Sequence, residues 1–219
     1  MDKLRLRFEK TGRAVYISHL DLMHTMQRAF SRAGYALKYS EGFNPHPQIS
    51  IALPLSVGVA SFCEIMDFRL KGDADLKELP ARLTAVMPEG IRVTDCYEQV
   101  SRVALLKYLE IEGSFAYDER DSAEMAKALT DFYAQDSIII TKKTKRGMGE
   151  SDIRPAIREI SFTTGQGEVR LHTIISAQEP TLNPALLADA LRQLKPDIAP
   201  DFEKFVRIEN YLENMAVFR

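Results

Sequence analysis

Two histidines stand in settings where chemistry is possible. His19 lies in YISHLDLM, directly after Ser18, and His46 lies in YSEGFNPHP, between Pro45 and Pro47. Imidazole changes charge near neutral pH, so two rings brought to one cleft can act as general base and general acid without a metal. Convergence of the two is not dictated by the sequence. The plainer alternative is that His19 packs at a helix start and His46 fills space between prolines. The same proline-rich segment carries Phe43 and Asn44. Proline restricts the loop and holds its neighbours in place. An outward ring there can stack on a nucleic-acid base, worth ~1–3 kcal/mol per base. An inward ring would only anchor the loop.

Charge is the second signal. The chain of 219 residues has a formal net charge of −2, but the cations are clustered. Residues 1–38 carry eight Lys/Arg against three acids, and residues 138–158 carry six against two. Arg5, Arg7, Arg28 and Arg32 belong to the first cluster; Lys142, Lys143, Lys145 and Arg146 belong to the second. Basic clusters on an otherwise acidic chain suit a polyanion or an acidic partner, although solvated lysines account for many such runs. In KLRLRFEK, Arg5 and Arg7 share a face opposite Leu4, Leu6 and Phe8, and Arg69 is placed to join them. That face has arginines where a sheet that stacks RNA bases needs aromatics, so it fits phosphate or carboxylate instead. Pairing with Glu9 and Asp67 is the competing reading. The second cluster leads into Gly147 and Gly149, which suits a mobile basic loop for sequence-independent phosphate contact. It lacks Walker-loop spacing.

Glu64 falls on the strand parity of Phe62, Met66, Phe68 and Leu70. A carboxylate on an apolar face needs a partner. Arg13 or a histidine is the expected one, in a structural ion pair rather than as a catalytic acid. The two cysteines, Cys63 and Cys96, are too few for a thiolate metal site, so no metal or cofactor is expected in this chain.

These residues must be positioned by a chain that is 45% hydrophobic and 27% charged. That composition excludes a disordered polymer. No apolar run reaches the ~18 residues of a membrane span, and ISIALPLSVGVASF is interrupted by Pro54. The charged, alternating start is not a secretory signal, so a cytoplasmic location is expected. Period-two patterns predict strands at KLRLRFEK, YALKY, ISIALPLSVG, SFCEIMDFRL and GIRVTDCYEQV. Helical spacing of Leu22, Met26, Ala29, Phe30 and Ala33 predicts a helix capped by Ser18 and ended by Gly34. A second helix is predicted over DADLKELPARLTAVMP. The order β-α-β-β-α-β is ferredoxin-like. It recurs after residue 103, with strands at KYLEIEG, SIIITKK, REISFTT, EVRLHTIIS and FVRIENYLE, and helices at SAEMAKALTDFYA and NPALLADALRQL. The expectation is an α+β fold of two tandem ferredoxin-like units with antiparallel sheets. The first, 1–103, carries SHLDLM and GFNPHP; the second, 104–219, carries a basic loop insert at 141–158.

The string YISHLDLMHTMQRAFSRAGYALKYSEGFNPHPQISIALPLSVGVASFCEIMDFRL resembles a bacterial family of radical-SAM-associated proteins of unknown function. Its members are encoded beside, or fused to, a cobalamin-binding radical-SAM protein. The resemblance rests on SHLDLM, the helix with Arg28 and Arg32, GFNPHP, and the stretch through Pro54, Gly58, Glu64 and Asp67. It implies a radical-SAM partner that holds the iron–sulfur cluster, S-adenosylmethionine and cobalamin, with this chain binding or presenting the substrate. The tandem layout is also similar, at fold level only, to the CRISPR repeat-processing endoribonucleases. Three functions follow as expectations. The leading one is a non-catalytic accessory module that binds RNA or another anionic substrate. The second is a metal-independent endoribonuclease-like enzyme using His19 and His46. The third is a protein-interaction adaptor.

Overall fold

In a computed structural model, which describes residues 3–144 and 147–219, the alternation of LRLRFEK becomes strand β1 (Leu4–Lys10). Leu4, Leu6 and Phe8 are fully buried on one face. Ser18 then caps helix α1 (His19–Arg32), its Oγ accepting from the Asp21 N–H at 3.2 Å and donating to Asp21 Oδ2 at 2.7 Å. The helix stops where Gly34 takes a φ of +83°, a value that favours glycine. Strands β2 (Ile49–Ala52) and β3 (Ala60–Phe68), helix α2 (Leu79–Thr84) and strand β4 (Ile91–Glu98) follow. Within this unit β1 lies between β3 and β4, and β2 pairs β3, all antiparallel. That is the spatial order β4-β1-β3-β2 expected of a ferredoxin-like unit. Leu22, Met26, Ala29 and Phe30 of α1 and Leu79 and Leu83 of α2 bury against one sheet face, with the Phe30 and Phe68 rings 4.9 Å apart.

The chain divides into two compact units, the first reaching Val103 and including Arg219, the second Ala104–Phe218. The second repeats the plan with strand β5 (Tyr108–Ala116), helix α3 (Ser122–Tyr133), strands β6 (Ile139–Thr144), β7 (Gly147–Asp152), β8 (Ile157–Thr164) and β9 (Glu168–Ser176), helix α4 (Ala185–Leu194) and strand β10 (Phe202–Tyr211). Its four-stranded sheet runs β10-β5-β9-β8, again antiparallel.

Four local expectations need correction. YALKY forms only the isolated bridges Leu37–Leu70 and Tyr39–Pro47. The second strand ends at Ala52, because Leu53 turns to a φ of +45° ahead of Pro54. Helix α2 is six residues rather than the whole of DADLKELPARLTAVMP; Pro80 has no N–H and fits only a first turn. Finally, SIIITKK does not enter the main sheet. It pairs with β7 as a separate hairpin, Lys142 opposite Gly149 and Lys143 opposite Met148. The stretch expected as a mobile loop is thus largely strand.

Candidate functional site

The segment after α1 folds back on itself at the Leu4 end of β1. Its mouth is closed by the Gln48 N–H donating to the Lys38 carbonyl at 2.8 Å and the Gln48 amide donating to the Tyr39 carbonyl at 3.2 Å. Ser40 holds His46 three ways. Its N–H donates to the His46 carbonyl at 2.8 Å, its Oγ accepts from the His46 N–H at 3.1 Å, and Oγ lies 2.9 Å from Nδ1. Pro45 and Pro47 stiffen the same span. The prolines and hydrogen bonds fix a segment whose side chains nonetheless stay in water. Phe43 is 111% exposed relative to its reference, and Asn44 and His46 are exposed as well. The reading of Phe43 as an inward anchor is therefore excluded.

Beside this segment lies a cavity of about 390 Å³ lined by Lys3, His46, Gln48, Asp67, Arg69 and Gln99, among others. Its electrostatics are set by Asp67. Arg5 is 0% exposed and forks onto that carboxylate, Nε to Oδ1 at 2.6 Å and Nη2 to Oδ2 at 3.0 Å. Gln99 Nε2 adds a donor to Oδ2 at 2.9 Å. The one acid of the cavity is spent on Arg5. Lys3 and Arg69 have no ion-pair partner among the described residues, and His46 joins them at the rim. The groove therefore presents cations to whatever enters it. Arg5, expected as an anion contact, is instead the residue that cancels the acid. Asp67 was foreseen as a competing partner of that arginine face; Lys3 was not foreseen as a site residue. Its only sequence signal was its parity with Arg5.

The other candidates fall elsewhere. His19 starts α1, beyond the Lys10 end of β1, whereas His46 shares its cavity with Lys3 at the opposite end. The fourteen residues of α1 run ~21 Å between those ends at 1.5 Å per residue. The elements thus place His19 and His46 at opposite ends of β1 and do not bring the two together. Arg28 and Arg32 are exposed on α1, and Arg32 Nη2 donates to the Val86 carbonyl at 2.7 Å. Arg7 is half-buried. Lys142 and Lys143 lie on the hairpin of the second unit, and Lys145 and Arg146 lie outside the described residues.

Glu64 is 1% exposed, and its charge acts on Lys10, itself 2% exposed. Lys10 Nζ donates to the Val15 carbonyl at 3.2 Å and the Ile17 carbonyl at 3.0 Å. Burial lowers the Lys10 pKa, and the Glu64 charge partly restores it. Lys10 thus ties the end of β1 to the turn that delivers Ser18. Both cysteines are buried. Burial, with help from the Asp95 charge, pushes the Cys96 thiol up to about 12, far from a reactive thiolate.

Sequence reasoning also missed a cluster in the second unit. His172 Nε2 lies 2.8 Å from Glu110 Oε1, and the Tyr211 hydroxyl donates to Glu110 Oε2 at 2.7 Å. Burial raises the Glu110 pKa, but these hydrogen bonds outweigh it and the net shift is downward. The only signal was a histidine on the polar phase of EVRLHTIIS.

No helix is long and apolar enough to cross a membrane among the described residues. Among solved structures, the chain is similar to a chain of a Cbf5–Nop10–Gar1 complex, with 10% identity, a TM-score of 0.52, and coverage of 94% of this chain and 48% of that one. It thus spans about half the length of that neighbour. It is also similar to an unknown protein from Galdieria sulphuraria (10% identity, TM-score 0.27, 94% and 98% covered) and to the CRISPR endoribonuclease Cse3 bound to a 19-nucleotide RNA (12%, 0.20, 94% and 99%). The first likeness bears on fold alone, and the other two carry no argument. No curated protein matches the chain. Residues 3–184 match the family described as an uncharacterized protein conserved in bacteria (DUF2344), and the chain belongs to that family.

Proposed function

We propose that this protein is a non-catalytic accessory module that binds RNA through the basic groove of its first unit and presents it to a radical-SAM partner enzyme. One observation carries the RNA part. The groove's acid, Asp67, is neutralised from within by buried Arg5, leaving Lys3, Arg69 and His46 facing a cavity beside the fully exposed Phe43. Cations supply phosphate contact without sequence preference, and a rigid exposed ring supplies stacking. The partner follows from the resemblance of the SHLDLM and GFNPHP region to radical-SAM-associated proteins. The cluster, S-adenosylmethionine and cobalamin belong to that partner, and no step of their chemistry is assigned to this chain.

The test is fluorescence anisotropy with bulk tRNA at two salt concentrations. Binding that weakens steeply with salt and is lost in Lys3→Glu/Arg69→Glu supports the reading. Absence of salt-sensitive binding refutes it. Retention of an affinity-tagged radical-SAM partner encoded nearby tests the second half separately.

A further inference from the structure

The two limbs of the proline-braced segment border different cavities. The returning limb, through His46, Pro47 and Gln48, lines the cavity that holds Lys3 and Arg69. The outgoing limb, through Leu37 and Tyr39, lines another of about 340 Å³ that holds Gln27, Ser31 and Lys71. Tyr39 is 46% exposed, and the Lys71 ammonium stands 5.8 Å from the centre of its ring. The turn that joins the limbs carries Phe43. Backbone bonds from Gln48 to Lys38 and from Ser40 to His46, both 2.8 Å, clamp the limbs together. The result is a fixed ridge with an aromatic ring on its crest and cations on both flanks. Lys71, like Lys3 and Arg69, has no ion-pair partner among the described residues.

That arrangement matches a chain in which phosphates and unpaired bases alternate. In an A-form duplex the base faces are hidden in the stack, and a crest aromatic meets only sugar and phosphate edges. In a single strand every base offers a free face. We infer that the ligand is single-stranded RNA that straddles residues 39–47. Phe43 stacks on one base, Lys3 and Arg69 hold phosphate on one flank, and Lys71 holds it on the other. The inference rests on the RNA reading above and narrows it.

The probes are a labelled twelve-nucleotide RNA of mixed sequence and the same strand annealed to its complement, each titrated by anisotropy. The single strand is expected to bind roughly tenfold tighter than the duplex. Phe43→Ala should weaken the single strand roughly tenfold and leave the duplex unchanged. Arg69→Glu and Lys71→Glu should each weaken the single strand, and each should flatten its salt dependence by about 0.7 in log–log slope. Phe43 touches no core, so its removal leaves the circular dichroism spectrum and melting curve as they are. Equal affinity for both forms, or no effect of Lys71→Glu, overturns the straddling arrangement while salt-sensitive binding still upholds the RNA reading. Phe43→Ala that spares RNA but abolishes capture of the partner enzyme assigns Phe43 to protein docking and also overturns it. No salt-sensitive binding of either form removes the RNA reading itself.

Discussion

Replacing Asp67 with asparagine should move stability and ligand affinity in opposite directions. The side chain keeps its size and one acceptor oxygen but loses the charge that cancels Arg5. Arg5 is 0% exposed and is joined to Asp67 by two hydrogen bonds of 2.6 and 3.0 Å. Breaking a buried pair by removing one partner costs about 3–5 kcal/mol. The Asp67 side chain is 23% exposed, so water offsets part of that, and about 2–4 kcal/mol is expected. Urea denaturation followed by circular dichroism reads the loss. Arg5→Met/Asp67→Leu, which removes both charges, should recover most of it, since a buried pair replaced by apolar groups is often neutral. In the same Asp67→Asn protein the groove gains an uncancelled charge. RNA affinity at low salt should rise about two- to threefold, with a log–log salt slope steeper by up to about 0.7. A stability loss under about 1 kcal/mol would place the pair among surface ion pairs and refute the claim that Arg5 is sealed by Asp67. Unchanged or weaker RNA binding would refute the claim that Asp67 sets the charge of the groove.

Three further outcomes follow from particular contacts. Gly90 has a φ of +87°, and a Cβ there would lie 2.3 Å from the Thr11 carbonyl oxygen, so Gly90→Ala should cost about 2–4 kcal/mol through strain and overlap, measured by urea denaturation. Because hydrogen bonds hold Glu110 below its ordinary pKa of about 4.3, its contribution to stability is complete above that value. It is lost as pH falls through the depressed folded value; a stability–pH profile of Glu110→Gln should be flatter than the parent's in that acid window. His46→Ala should leave the fold intact, since the ring is exposed, but weaken RNA binding, since the ring lines the cavity with Lys3 and Arg69; circular dichroism and anisotropy read the two outcomes.

Much of the local structure was legible because its causes sit within a few residues of one another. Ser18 and Asp21 are three apart, and their capping bond needs no other part of the chain. Gly34 ends the helix through its own φ. Leu4, Leu6 and Phe8 alternate on one strand, and the ferredoxin-like order follows from such patterns taken in sequence. The exposed Phe43 sits in a run whose prolines announce a stiff loop, although proline alone does not say whether the ring turns in or out.

What the amino-acid sequence determined by itself was therefore the succession of elements, their caps and the uneven placement of cations. Tertiary structure alone decided which cations are free. Arg5 and Asp67 are 62 residues apart and meet because β1 and β3 pair in one particular register; a shift of one residue would put each side chain on the other face. The same holds for Glu110 with His172 and Tyr211, which sit on three strands. His19 and His46 were separated by the length of a helix that the sequence predicts but whose direction across the sheet it does not. Short-range patterns encode a dihedral preference or a cap, whereas the charge of a groove is a difference between long-range pairings, and those exist only once the sheet has closed.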